Sequence, residues 1–312
     1  MENLSSWRKE VETEATEIAL SFINPGDNSQ DGPPTVFHYT SGEGLIGILK
    51  TQTLWASQAT MLNDTREVRY GLELVEGMIQ SRLSAAGPNS ADAMLLAAVG
   101  RVNVPQTRAF VSCFCDRGDD LGQWRGYGLT GGGYALGFER EKLRLDHNAH
   151  RDGWDLVRVI YEPDKQRSLL GRVLDSHLQM FAQRLPEAPV GQARSLTDVC
   201  ATALRMVCAF VAPQIKHMAF RGEREWRLLG HAIAVTEPEA ERDAERTLFR
   251  SRAGHLVPYR QIQYSALGFP LREIVVGPTT HEDIAEDAVR QLLAHSKLEG
   301  VNVRRSEVPL RP

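Results

Sequence analysis

The chain has 312 residues, of which 42% are hydrophobic and 24% are charged, and its formal net charge is -4. These are the values of a globular protein that is long enough for one large domain or two modest ones. The negative net charge excludes a strongly basic nucleic-acid-binding protein, although it leaves room for a local basic patch.

The four cysteines are too few for a disulfide framework in a chain of this size, and they form no paired CxxC metal pattern. We therefore expect reduced thiols in the core and no metal site. The first residues are rich in glutamate and lack the apolar stretch of a signal peptide, and no window offers the ~18 consecutive apolar residues of a membrane helix. The sequence thus predicts a cytoplasmic protein without a membrane partner.

An N-terminal helix is predicted over Leu4–Phe22, because apolar residues recur there at helical spacing. A polar segment rich in Gly and Pro follows it. We therefore divide the chain into an N-terminal helix with its linker, residues 1–34, and a single domain, residues 35–312.

Strands and helices mix in this second part without a strict β-α-β rhythm, which predicts an α+β protein. Short strands are expected at Thr35–Thr40, Thr53–Ser57, Arg108–Cys115, Tyr134–Glu139, Leu156–Tyr161, Glu225–Leu229, Ile274–Val276 and Val301–Val303. Helices are expected at Gly42–Lys50, along the stripe Val68, Leu72, Val75 and Ile79, and at Ala91–Val102, Lys165–Leu185, Ser195–His217 and His281–Ser296. Ser41 is the expected N-cap of the first of these helices.

The first candidate site is the end of the strand Thr35–Thr40. Alternation along the strand places His38 and Thr40 on one face, where two polar side chains can hold a polar ligand. The alternative is that His38 is a half-buried structural histidine with satisfied hydrogen bonds.

The second candidate site begins with the strand ending at Cys115. Ser112 lies on one face of this strand and Cys113 on the other, and Trp124, Arg125 and Tyr127 follow within a few residues. Aromatic rings near a guanidinium can enclose an aromatic ligand ring. The alternative is a structural aromatic cluster beneath a loop.

The third candidate site is the segment EREWRL. Glu225 opens an otherwise apolar strand, and a carboxylate in that position needs a partner or a chemical role. Glu223 shares its face if both residues are extended. The alternative is a structural ion pair between Glu225 and Arg227. A weaker signal is the turn with Asn63 and Arg66, whose alternative role is an Asx-type cap on the next helix.

Several of these segments resemble a widespread bacterial family that is known only as a domain of unknown function. The resemblance runs from about Phe37 to the C-terminus, through HYTSGEGLIGILKTQTLWAS, LND with Glu67 three residues past Asp64, VSCFCDRGDDLGQWRGYG, GGYALGF, EREWRL and IVVGP. The order of these parts in turn resembles the ADP-ribosyltransferase fold of the poly(ADP-ribose) polymerases and related DNA-modifying toxins. That fold has a His-x-[Ser/Thr] strand end, a helix ending near GIL, a segment with a nicotinamide-stacking aromatic, and a glutamate that opens a late strand.

The resemblance implies an α+β fold with an ADP-ribosyltransferase-like mixed sheet core and flanking helices. It also implies an enzyme that uses NAD as its substrate, needs no metal, and transfers ADP-ribose to a protein, a nucleic acid or water, in a toxin or phage-defence role. A non-catalytic nucleotide-binding or regulatory module of the same fold is the alternative, and a hydrolase or nuclease of another kind is a further one.

The resemblance assigns a role to each candidate residue. Glu225 would stabilise the positive charge that develops on the ribose, with Glu223 orienting the acceptor. The NAD-binding set is His38, Thr40, Asn63, Arg66, Ser112, Trp124, Arg125 and Tyr127. Within it, Trp124 or Tyr127 would stack on nicotinamide, and Arg66 or Arg125 would meet the pyrophosphate. The chain departs from the fold in two ways. The Gly-x-Tyr-Phe pattern is missing, which leaves the stacking ring open between Trp124 and Tyr127. A Glu-x-Glu segment occurs together with His38, which leaves the acceptor open.

Overall fold

The computed structural model describes residues 7, 9–11, 13–14, 17–18, 21–22, 32–61, 65–100, 109–127, 133–145, 153–230, 246–252, 254–264, 268–279 and 281–309. Its strands are β1 (Thr35–Thr40), β2 (Thr53–Gln58), β3 (Phe110–Cys115), β4 (Tyr134–Glu139), β5 (Trp154–Arg158), β6 (Glu225–Gly230), β7 (Leu248–Arg252), β8 (His255–Gln263), β9 (Leu271–Val276) and β10 (Asn302–Arg305). Its helices are α1 (Gly42–Thr51), α2 (Thr65–Ala85), α3 (Ala91–Val99), α4 (Leu121–Tyr127), α5 (Arg140–Leu143), α6 (Pro163–Arg184), α7 (Ala193–Val211) and α8 (Glu282–His295). Short 3-10 helices lie at Ala59–Met61, Ala212–Gln214 and Met218–Glu223.

The α+β class is confirmed by this arrangement. The described strands form one mixed sheet in which β9 and β10 are parallel and the other pairs are antiparallel. The main path through the sheet is β10-β9-β4-β1-β3-β2-β8-β7, and β6 pairs with both β3 and β5. The expected strands β1 and β4 have the predicted bounds, and Ser41 caps α1 by accepting a hydrogen bond from the Gly44 amide.

The sheet splits at β3, and this split positions the candidate site. β6 pairs along the whole of one edge of β3. The other edge is shared, since β1 pairs with it at Cys115 and β2 pairs with it at Phe110 and Val111. Among the described strands, neither β1 nor β2 pairs with the three residues between those points. β1 and β2 therefore diverge along the middle of β3.

Two strands, β7 and β8, were not predicted. Pro258 lies in the middle of β8 opposite Phe249 of β7, and proline argues against a strand because it cannot donate to the ladder. The strand expected at Leu156–Tyr161 is also misplaced, since β5 begins at Trp154 and ends at Arg158.

The apolar side chains form two main clusters. One lies between the sheet and the helices α1 and α8. The other is helical: it contains side chains of α2, α3, α6 and α7, together with Val11 and Phe22 from the N-terminal segment. The division into residues 1–34 and 35–312 stays a prediction.

One described helix, Ala193–Gln214, is long and apolar enough to cross a membrane by length and composition alone. About two thirds of its apolar window is buried inside the protein, in the helical cluster. Burial of this kind is what the core helix of a globular protein requires.

Candidate active site

His38 fills the split between β1 and β2. Its Nδ1 donates a hydrogen bond to the Cys113 carbonyl at 2.9 Å, in the part of β3 that lacks a strand partner on that edge. The imidazole is also tilted against the Phe114 ring, with centroids 5.7 Å apart. His38 is half-buried, and its hydrogen bond connects β1 to β3 at the point where β1 and β2 diverge.

The protonation of His38 follows from this setting. Burial is the largest effect on the pKa of His38 and lowers it below the ordinary value of 6.5. The hydrogen bond to the Cys113 carbonyl raises this pKa by a smaller amount, and the charge of Arg250 lowers it. The imidazole is therefore neutral at pH 7. Because a carbonyl only accepts, Nδ1 carries the proton and Nε2 is left as an acceptor.

Thr40 and Ser112 are both near the split but face different surroundings. The Thr40 side chain packs on the start of α1, so closely that a Cβ at Gly44 would overlap its hydroxyl. Ser112 is 2% exposed, and its hydroxyl finds no hydrogen-bond partner among the described residues. A buried hydroxyl without a partner is costly and marks a place where a polar ligand atom would be favourable.

Glu225 is the centre of a buried charge cluster at the start of β6. Arg227 donates to it in a bidentate manner, Nε to Oε1 at 2.8 Å and Nη2 to Oε2 at 2.9 Å. Lys216 Nζ donates to the same Oε2 at 3.1 Å. All three side chains are at most 8% exposed. The ion pair between Glu225 and Arg227 that the sequence offered as an alternative is therefore present.

This cluster keeps Glu225 ionised. Burial by itself would raise the pKa of Glu225, but the charge of Arg227, its hydrogen bonds and the charge of Lys216 outweigh burial and lower the pKa to about 2. The Cys113 thiol also hydrogen-bonds this carboxylate, and burial together with the Glu225 charge raises the pKa of Cys113 well above its ordinary value. The site thus holds a fixed carboxylate and a neutral thiol.

Glu223 does not share a strand face with Glu225, because the condition for it, that both residues are extended, is not met. It belongs to the 3-10 helix Met218–Glu223, and Arg224 takes a left-handed conformation before β6 begins. Lys216 nevertheless brings the two carboxylates together, because its ammonium contacts Glu223 as well as Glu225. Glu223 is the exposed member of the pair, with 38% of its side chain accessible.

Strand register places His38 and Glu225 on opposite faces of the sheet. Glu225 pairs with Cys115, and Cys115 pairs with Phe37, so Glu225 shares a face with Phe37 and not with the next residue, His38. Cys113 links the two residues, since its carbonyl accepts from His38 and its thiol contacts Glu225.

The aromatic segment is largely structural. Trp124 is 5% exposed, packs edge-on against Tyr39 at 4.7 Å, and donates from Nε1 to Asp119 at 2.6 Å. This is the buried cluster that the sequence offered as an alternative to ligand stacking. Arg125 is exposed on α4. The backbone of Tyr127 belongs to α4, but its side chain lies outside the described residues.

The turn with Asn63 and Arg66 cannot be placed at the site. Asn63 lies outside the described residues, and of Arg66 only the backbone at the start of α2 is described.

Two cationic residues of the site were missed by sequence reasoning. Lys216 follows the apolar run of α7, and a lysine at the end of such a run was the available signal in the sequence. The structure buries this lysine, which is rare for a charged residue. Arg250 lies on β7, and since that strand was not predicted, no signal in the sequence could have placed it next to Ser57 of β2.

The described residues contain no group of three or more potential metal ligands. The four cysteines are free thiols, three of them buried and Cys113 half-buried. No curated protein and no solved structure matches the chain.

One family model matches, described as a protein of unknown function, DUF2971, and the match covers residues 123–228. This range is narrower than the resemblance suggested, but it contains Trp124, Lys216, Glu223, Glu225 and Arg227. Residues 123–228 are therefore similar to the family described as proteins of unknown function, DUF2971.

Proposed function

We propose that the protein is a cytoplasmic ADP-ribosyltransferase that cleaves NAD and transfers ADP-ribose to a macromolecular acceptor, as a toxin or phage-defence effector. The observation that carries the proposal is Glu225, a carboxylate held ionised at the first position of a central strand. It occupies the place that the resemblance gives to the catalytic glutamate. The proposal requires no metal.

Cleavage of the bond between nicotinamide and ribose C1′ develops positive charge on the ribose, as in glycoside hydrolysis. A carboxylate that is already ionised and oriented stabilises this charge without reorganising during the reaction. Arg227 and Lys216 orient Glu225 in this way, although they also offset part of its charge. Glu223, exposed and joined to the same lysine, is placed to orient an acceptor.

The split in the sheet offers a site for the rest of the substrate. His38 Nε2 can accept a hydrogen bond from a ribose hydroxyl, since Nδ1 is engaged by the Cys113 carbonyl. Alternation puts His38 and Glu225 on opposite faces of the sheet, so a substrate that contacts both must pass through the split between β1 and β2.

Glu225→Gln tests the proposal. The variant keeps the shape of the side chain and removes its charge, so nicotinamide release from NAD should fall by roughly 100-fold or more per folded molecule. The measurement is chromatographic nicotinamide release, with and without cell extract as acceptor. Glu273→Gln is the matched control, because Glu273 is also a strand glutamate paired with an arginine, Arg304 at 3.0 Å, but lies on β9. Equal loss in both variants, or undiminished release in Glu225→Gln, contradicts the proposal.

A second candidate function is a non-catalytic nucleotide-binding or regulatory module. The bidentate pairing of Glu225 with Arg227 favours it, because a carboxylate neutralised by two buried cations has a sufficient structural role. In that case NAD raises the melting temperature, and no nicotinamide is released. At an NAD concentration of 100 times its dissociation constant, binding stabilises the folded protein by about 2.7 kcal/mol. His38→Ala should weaken this binding more than it lowers stability.

A further inference from the structure

An exposed aromatic ring lies beside an arginine on the strands beyond the split. Trp55 of β2 is 40% exposed, although it lies in the middle of a strand whose neighbouring residues are buried. Its ring stacks on Tyr259 of β8, with centroids 4.3 Å apart and planes 27° apart. The guanidinium carbon of Arg250 lies 5.7 Å from the centre of the same indole. Three planar groups thus gather at one place, where Trp55 is exposed, Arg250 is half-buried and Tyr259 is buried.

This group adjoins the split that His38 fills. Arg250 Nη2 donates to Ser57 Oγ at 2.8 Å, and Ser57 pairs with Val111 of β3. Register therefore puts Arg250 and Ser57 on the face of the sheet that carries Cys113. The charge of Arg250 also contributes to lowering the pKa of His38.

The local charge of these strands differs from that of the whole chain. Residues 53–58 and 246–264 contain four arginines and no Asp or Glu, in a chain with a net charge of -4. An aromatic face beside a guanidinium suits a ligand that combines a flat ring with an anion, because the ring stacks and the arginine pairs with phosphate. A nucleotide has this combination.

We infer that Trp55 and Arg250 bind the adenine and phosphate of a nucleotide, namely the ADP half of NAD. The inference deepens the proposed function and rests on it for the identity of the nucleotide. Neighbouring strands lie about 4.8 Å apart, so β2 and β6 are separated by about 10 Å across β3. Trp55 shares the Cys113 face with Ser57, so a dinucleotide that begins at Trp55 can extend along that face toward Glu225, whereas His38 lies on the other face.

The test is a calorimetric titration of the purified full chain with ADP-ribose and with NAD. Trp55→Ala should weaken both affinities by roughly tenfold, as expected for the loss of one base stack, and Trp55→Phe should restore most of the loss. Arg250→Gln should have an effect of about the same size. Phe249→Ala is the matched control, since Phe249 is on the same strand as Arg250 and is 61% exposed, but lies on the opposite face of the sheet. The Phe249→Ala variant should bind ADP-ribose and NAD with unchanged affinity. Melting curves of each variant exclude a loss of folding.

The outcomes separate this inference from the proposed function. If NAD binds and is cleaved while Trp55→Ala and Arg250→Gln bind it normally, the inference is overturned and the transferase stands. If ADP-ribose binding depends on both residues but no nicotinamide is released, the inference stands and the transferase fails. Binding of a short single-stranded DNA that depends on Trp55, without binding of ADP-ribose, overturns the inference in favour of a nucleic-acid surface.

Discussion

At the scale of single residues, the charge of Glu225 makes folding depend on pH. The pKa of this carboxyl is about 2 in the folded protein and 4.5 in its ordinary state, so the unfolded chain binds the proton more tightly. Stability from Glu225 is therefore fully present above pH 4.5 and is lost as the pH falls from about 4.5 to about 2.

We predict how the free energy of unfolding of Glu225→Gln differs from that of the wild type between pH 7 and pH 2.5, as measured by urea unfolding. At pH 7 the variant should lose about 3 kcal/mol, because it removes the carboxylate that the buried Arg227 and Lys216 share and leaves Lys216 with Glu223 alone of its two carboxylate partners. The difference between the two proteins should shrink steadily below pH 4.5. A difference that stays constant down to pH 2.5 would show that Glu225 is not held ionised by Arg227 and Lys216.

At the scale of elements, the junction of β1 and α1 depends on a glycine. A Cβ at Gly44 would overlap the Thr40 hydroxyl, whereas a Cβ at Gly47, one turn later in α1, meets nothing within 4 Å among the described atoms. We expect Gly44→Ala to cost about 1–3 kcal/mol by overpacking and Gly47→Ala to be neutral or stabilising by up to about 1 kcal/mol.

Thermal unfolding of both variants measures this difference, and the double variant Thr40→Ala/Gly44→Ala tests its cause. Removing the Thr40 hydroxyl should restore part of the stability lost in Gly44→Ala. If the double variant is as unstable as the sum of the two single variants, the clash with Thr40 is not the reason.

At the scale of the whole molecule, one buried glutamine couples the helical cluster to the charge cluster. Gln166 of α6 is fully buried, and its Nε2 donates to the carbonyls of Ile160 at 2.7 Å and Lys216 at 2.9 Å. Its Oε1 accepts from the Tyr70 hydroxyl of α2 at 3.0 Å. The backbone of Lys216 is therefore positioned by the helices that cover the sheet.

We predict that Gln166→Met destabilises the protein by about 1–3 kcal/mol, since it removes the donor that the Ile160 and Lys216 carbonyls share and leaves the Ile160 carbonyl with the Lys216 amide at 3.2 Å. It should also raise the pKa of Glu225, because Lys216 loses its fixed position. Tyr70→Phe is the control, because it removes only the hydroxyl that donates to Gln166 Oε1 and should cost about 1 kcal/mol without moving that pKa. Urea unfolding between pH 2.5 and pH 7 reports both effects, and identical pH profiles for Gln166→Met and the wild type would refute the coupling.

The sequence by itself determined many of the local elements of this protein, because their signals are local, but it did not determine β7 and β8. The bounds of β1 and β4, the Ser41 cap and the opposite faces of Ser112 and Cys113 all follow from alternation and capping over a few residues. The tertiary structure alone decided which side chains meet. Lys216 reaches Glu223 and Glu225 because a 3-10 helix and a left-handed Arg224 turn the chain between them. Arg250 reaches the split because β7 and β8 extend the sheet from β2, and pairing between distant strands has no signature within either strand.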